Sequence, residues 1–260
     1  MYYDEAIFLN GAVQVLSSGQ EPSFAHDPWS WVTILGRRWP IMVMPYIGPM
    51  RDYLALLPFS LFGPNYLSAR LLAALLGAFG IWGFSVLIRD QFDSQAAAVV
   101  SWILAINPAY LALTVYQGAV AEWMVPVALL SIALAGYSRA PAPSRAFWVG
   151  AAMGFGVWTR ANITWLLGCL LLAGVIVLGK RMWIPWRHSA AVVAGGLIGG
   201  APFLWYEIQS RGATLDFLRS TNVPEPLSYL VLHRLNMLSQ TLLSDAEMRL
   251  AWNGPRLPLW

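Results

Sequence analysis

Charge is scarce in this sequence. Only 11% of its 260 residues are Asp, Glu, Lys or Arg, under half the ~25% of an ordinary soluble domain. A soluble fold of this length could not cover its surface with so few. Hydrophobic residues make up 58%, and the mean hydropathy is +0.56. Together these values exclude a disordered chain, a collagen-like chain and an ordinary soluble enzyme, and they define an integral membrane protein. Cysteine is almost absent. Cys169 alone cannot form an intrachain disulfide, and His26, His188 and His233 show no metal-ligand spacing. No cofactor is expected, and a divalent metal is not indicated. Lys180 is the one lysine among 16 cationic residues. The net charge of +3 is too small to point to nucleic acid. The first residues lack a basic stretch ahead of an apolar core, so no signal peptide is expected. The absence of a Walker loop, a GxGxxG turn and a serine elbow leaves a soluble nucleotide-sugar enzyme without support.

What the sequence has instead is long apolar runs. A spanning helix needs ~20 mostly apolar residues. Six segments meet or approach that length: residues 68–88, 95–113, 120–137, 146–158, 163–179 and 189–206. Asn107-Pro108 is expected to kink or end the second, because proline lacks an N–H and crowds the preceding turn. The expected fold class is all-α, a polytopic transmembrane helix bundle of about six spans with interfacial helices in two external segments. Alternate loops at 89–94, 138–145 and 180–188 hold Arg89, Arg139, Arg145, Lys180, Arg181 and Arg187. The short loops on the other side, 114–118 and 159–162, hold only Arg160. The positive-inside rule makes the first set cytoplasmic.

The chain then divides into an external loop at residues 1–67, a helix bundle at 68–207 and a second external segment at 208–260. Seven prolines between Pro22 and Pro64 preclude one long helix in the first segment, while Trp29, Trp31 and Trp39 suit a membrane interface. Short interfacial helices are expected at 4–18 and 50–62, the second too short to span. In the last segment, Leu230, Leu235, Leu238 and Leu242 recur at helix-like intervals around His233 and Arg234. That pattern fits an amphipathic interfacial helix over 227–243, or equally a loosely packed soluble tail.

Ionisable residues in so apolar a chain are the candidates for chemistry. Asp4 and Glu5 either start a helix, where acids suit the dipole, or place a general base at the membrane boundary. Arg51 and Arg70 follow turns set by Gly and Pro. Each either binds a phosphate, for which guanidinium is the preferred partner, or snorkels to the headgroups. Arg51 also has Asp52 and Asp4 as possible partners. Arg160 sits in a very short turn between apolar runs, where a cation should face a cavity or a partner. A polyprenyl phosphate and a lipid headgroup are the two anions weighed for it. Glu122 and Glu207, at span ends, are costly near lipid, and each could pair with an arginine.

Three stretches carry a resemblance: YYDEAIFLNGA, PYIGPMRDYLALLPFSLFGPNYLSARLL and GFGVWTRANITW. In this order they resemble the membrane glycosyltransferases of the C superfamily, family 39-like. That group includes protein O-mannosyltransferases, the lipid A aminoarabinose transferase and the RgtA/B/C/D-like enzymes. The resemblance implies a sugar donor on a polyprenyl phosphate and a glycan, lipid or protein acceptor, as in lipopolysaccharide or protein glycosylation of the cell envelope. It implies transfer with inversion at the external face of a membrane, periplasmic in a bacterial inner membrane. Carried onto this chain, it makes Asp4 the general base and Glu5 its neighbour. Arg51, Arg160 and Arg70 are candidates for the donor phosphate from their charge and placement. Members of the group carry a span before the Asp-Glu pair and several after the second external segment. This chain is therefore expected to be the middle of a larger enzyme. Two other readings stand beside this one: a transporter or flippase of a lipid-linked intermediate, and an inactive fragment.

Overall fold

The computed structural model describes residues 3–17, 28–111, 114, 121–178 and 185–221, with side chains for these apart from 3–8, 109 and 218–221. The helix expected over 227–243 lies outside the described residues.

Helices form at the two positions where interfacial helices are expected, as α1 (Tyr3–Leu16) and α2 (Met50–Phe62). Gly63 ends α2 at φ 78°, a conformation that favours glycine, and its N–H closes on the carbonyl of Phe59. Between them stands a hairpin that the proline density hid. β1 (Trp31–Ile34) pairs antiparallel with β2 (Arg37–Pro40), Trp31 opposite Pro40 and Ile34 opposite Arg37. Pro28 precedes the ladder and Pro40 sits at its end rung, so no central rung loses a donor. Leu35 and Gly36 make the turn at φ 53° and 76°. Two successive left-handed residues match the twist of the strands.

The bundle follows. α3 (Tyr66–Gln91) starts at a reciprocal cap, in which Asn65 Oδ1 accepts from the Ser68 N–H at 3.0 Å and Ser68 Oγ accepts from the Asn65 N–H at 3.2 Å. At 1.5 Å per residue it reaches roughly 39 Å, enough to cross a bilayer. α4 (Ser94–Ile106) is capped by Asp93 through the Ala96 N–H at 2.7 Å. It ends at Asn107-Pro108 as expected. Asn107 turns extended, and its side chain caps the short α5 (Pro108–Leu111) through the Tyr110 N–H. A 3₁₀ turn, Ala121–Trp123, leads into α6 (Met124–Arg139). Then come α7 (Pro143–Thr159), α8 (Ile163–Leu178), α9 (Trp186–Gly199), α10 (Ala201–Ser210) and α11 (Ala213–Thr221).

Among the described residues, α3 and the continuous run Ala121–Arg139 are long and apolar enough to cross a membrane alone. The last expected span, 189–206, is broken. α9 and α10 meet at an angle of 64° and together make a third candidate. Gly199 and Gly200 remove side-chain support at the break, and Pro202 has no N–H to offer the Ile198 carbonyl. α4 and α8 are shorter apolar helices.

Small residues set the packing. α1, α2, α3 and the turn before α6 share one core of Leu9, Ala12, Ala55, Phe59, Leu72, Leu76 and Ala121. α7 and α9 approach through glycine. A Cβ on Gly154 would lie 2.1 Å from the Gly196 carbonyl oxygen, and one on Gly195 would lie 2.0 Å from that of Phe147. This small-xxx-small pattern is how helices associate in lipid, where apolar side chains gain nothing by leaving the bilayer. At the cation-rich end of the bundle Asp90 pairs with Arg139 and accepts from Ser138, tying α3 to α6. There too Tyr137 Oη lies 2.8 Å from His188 Nδ1. The opposite end gathers the starts of α6 and α8 with the ends of α7 and α10, and Met124 at the start of α6 faces Gly80 in mid-α3.

Candidate active site

The segment from Ile41 to Pro49 crosses this opposite end and organises it. Ile47 bridges Arg160 in an antiparallel contact, the Ala161 N–H donates to Tyr46 at 2.9 Å, and the Gly48 N–H donates to Thr159 at 3.1 Å. A Cβ on Gly48 would stand 2.2 Å from the Trp158 carbonyl oxygen, so the chain can pass here only as glycine. Trp158 Nε1 donates to Ile41 at 2.9 Å, and the Tyr53 hydroxyl donates to the Pro40 carbonyl. From the other flank, the Thr214 hydroxyl bridges the Pro45 carbonyl and the Glu207 carboxylate, and Phe217 stacks on Tyr46 at 4.9 Å between centroids. Among the described residues, Glu207 is engaged by Thr214 and not by an arginine.

Behind this segment lies a cluster of buried charges. Pro49 leads into α2, whose first turn buries Arg51 and Asp52, at 2% and 1% exposure. Glu122, at 2%, projects from the turn before α6. Arg160, at the end of α7, donates from Nη1 to Glu122 Oε1 at 3.1 Å and lies 5.9 Å from the centre of the Trp123 ring. Glu122 therefore pairs with an arginine, one of the two outcomes its cost near lipid allowed. Arg51 acts electrostatically on both Asp52 and Glu122. Arg160 thus bonds Glu122, and the charge of Arg51 acts on the same carboxylate. Arg70 is placed differently, one turn into α3, with its guanidinium 4.7 Å from the centre of the Tyr66 ring.

Asp52 is the residue that the sequence undervalued. Burial pushes its carboxyl up to about 8, against the Ala12 N–H, Arg51 and the Gly11 N–H, which favour the charged form; Glu122 adds to the rise. The carboxyl is therefore mostly protonated at neutral pH. Burial, with Asp52 adding to it, lifts the neighbouring Tyr53 phenol to about 12. Asp52 Oδ1 accepts from the Ala12 N–H at 3.0 Å, and its carboxyl fills the space that a side chain at Gly11 would need. The available signal was Gly11 itself, an isolated glycine inside a helical pattern, which often marks a close approach. Asp4 and Glu5 stand in the first turn of that same helix; their side chains lie outside those described. Among the described residues, no three His, Cys, Asp or Glu side chains group as metal ligands do.

Residues 45–206, more than half of the chain, match the family model of the dolichyl-phosphate-mannose-protein mannosyltransferases. The chain belongs to that family. No curated protein and no solved structure is significantly similar to it. Membership makes the protein a membrane glycosyltransferase, in agreement with the three-motif resemblance at the level of the family. In this mannosyltransferase-family protein the matched stretch holds Arg51, Asp52, Arg70, Glu122 and Arg160. α1 and its Asp4-Glu5 pair precede it.

Proposed function

We propose that the protein transfers a sugar from a polyprenyl-phosphate donor to a glycan, lipid or protein acceptor, at the external face of a bacterial inner membrane. Asp4, with Glu5 beside it, removes the proton from the acceptor hydroxyl. The acceptor oxygen bonds to the anomeric carbon as the carbon–oxygen bond to phosphate breaks on the opposite face, so the configuration inverts. The leaving polyprenyl phosphate keeps the bonding electrons, and fixed guanidinium groups stabilise its charge. Arg51 and Arg160 serve this role, with Arg70 nearer the start of α3.

The observation that carries this reading is the buried Arg160–Glu122 pair, with Arg51 near enough to act on the same carboxylate, at one end of a bundle matching a glycosyltransferase family. With Asp52 protonated, two guanidinium groups face at most one negative charge, and the cluster has the surplus positive charge a phosphate needs. The cation-rich loops lie at the other end, which favours an external site. The transporter reading calls for paired half-helices around a mid-membrane site. Among the described residues there is one broken span, α9–α10.

The test is transfer by the full-length protein in membranes, using a panel of polyprenyl-phosphate sugars. Asp4→Asn should abolish transfer while leaving membrane insertion intact. Full transfer by that variant would remove Asp4 from the mechanism, and release of no sugar from any donor would remove the lipid-phosphate reading.

A further inference from the structure

The contact between Asp52 and α1 has a consequence for the acidic pair on that helix. Most of the α1–α2 interface is apolar and small, with Leu9 and Ala12 against Ala55 and Phe59. Apolar contact is non-directional, so such a surface alone fixes neither the depth nor the roll of a helix. Asp52 supplies direction. Its carboxyl sits where a Cβ on Gly11 would come within 2.6 Å of Cγ and 2.7 Å of Oδ2, and the Ala12 N–H bonds Oδ1 at 3.0 Å. Only glycine admits the carboxyl at this point, and the bond holds at one rotation of α1. Asp4 lies seven residues from Gly11, about 10 Å along the axis at 1.5 Å per residue. A slip or roll at Gly11 therefore carries the pair with it. On its other side Asp52 adjoins Arg51 and acts on Glu122, the carboxylate that Arg160 bonds.

We propose that Asp52 is a positioning residue: it locks α1 to α2 so that the Asp4-Glu5 pair is held at a set distance from the Arg51–Glu122–Arg160 cluster. The inference rests on the reading of Asp4 as base, and its test has one readout independent of activity. Spin labels at Leu16→Cys on α1 and Leu57→Cys on α2, both exposed sites, are introduced in a Cys169→Ser background of the full-length protein in nanodiscs. The unsubstituted pair should give one narrow distance.

Asp52→Leu removes the acceptor but suits the apolar surroundings. It should broaden or shift that distance by up to about 5 Å, one helical pitch. It should also lower kcat for sugar transfer at least tenfold, with donor KM within twofold. Asp52→Asn keeps an acceptor oxygen and should restore both. Gly11→Ala drives a Cβ into the carboxyl and should reproduce Asp52→Leu, so it carries the test if the leucine variant fails to assemble. An unchanged distance in both variants overturns the lock. Asn as inactive as Leu overturns the positioning role in favour of a charge requirement. A shifted distance with full transfer leaves the lock standing, but breaks its link to catalysis and points back to the reading of Asp4.

Discussion

One amino-acid change should stabilise this protein at two glycines and destabilise it at two others, and the difference can be worked from the packing. A Cβ added at Gly136 in α6 or Gly168 in α8 would meet nothing within 4 Å, whereas one on Gly154 or Gly195 would stand 2.1 or 2.0 Å from a backbone carbonyl oxygen of the facing helix. Ordinary contact begins near 3.4 Å, so α7 and α9 would have to part by more than 1 Å at either of the latter sites. A backbone carbonyl inside a helix cannot rotate away, and the whole helix must move. Replacing glycine by alanine in a helix is worth roughly 0.5–1 kcal/mol in conformational terms. Overpacking costs about 1–3 kcal/mol. Gly136→Ala and Gly168→Ala should therefore raise stability by about 0.5–1 kcal/mol, while Gly154→Ala and Gly195→Ala should lower it by about 1–2 kcal/mol.

The assay is unfolding in mixed micelles followed by circular dichroism, with sugar transfer measured on the same preparations. α7 ends at Arg160 and α9 leads into α10 and Glu207, so transfer should fall in the second pair and not in the first. If all four substitutions shift stability in the same direction, the close α7–α9 approach is not what holds the two helices together.

Further expectations follow from the site and the hairpin. The folded value of Asp52, about 8, lies above the ordinary 3.8, so the native state binds more protons than the unfolded state between those values. Stability should therefore fall as pH rises from about 4 to 8, by up to about 1.4 kcal/mol per pH unit from this group. Asp52→Asn should flatten that segment of the thermal-midpoint profile. Arg160→Gln leaves Glu122 buried beside one cation fewer and should cost about 3–5 kcal/mol. The pair Arg160→Gln with Glu122→Gln should cost less than Arg160→Gln alone, and a double-mutant cycle on unfolding would read this directly. Leu35 holds φ 53° at a fully exposed hairpin tip. Leu35→Asn creates the favoured Asn-Gly turn and should slow amide exchange across residues 31–40 by severalfold.

Much of the scaffold was legible in the sequence because its signals are local. Proline ended α4 at Ile106 through missing donors, and apolar runs of span length became α3 and the α6 segment. The short helices at the outset needed only turn residues and length to be found. The hairpin was not legible in the same way, because its pairing depends on strands four residues long and a turn built on Leu-Gly rather than Asn-Gly. The α7–α9 seam was present as Gly150, Gly154, Gly195 and Gly199 at four-residue spacing, but which helices such a stripe joins is decided by tertiary structure. Arg51 and Arg160 stood out as isolated cations. That Arg160 pairs with Glu122 and that Arg51 acts on the same carboxylate, far from both along the chain, is likewise a product of the tertiary fold.

The buried charges and the loop that covers them are parts of one device. Two arginines and two acids cannot be taken from water cheaply unless each is paired or neutral. For three of these groups the structure meets that condition in two ways, by pairing Arg160 with Glu122 and by burying Asp52 deeply enough to hold its proton. These solutions differ in how they can respond to an anion. A phosphate arriving at Arg160 competes with Glu122, which has little room to move at 2% exposure. One arriving near Arg51 meets a neutral Asp52 so long as that carboxyl stays protonated. Raising the pH past about 8 would ionise Asp52 and place a negative charge beside Arg51. Donor KM should therefore rise above that pH in the wild type and stay flat in Asp52→Asn. An equal rise in both would assign the effect to another group and leave Asp52 with a structural role alone.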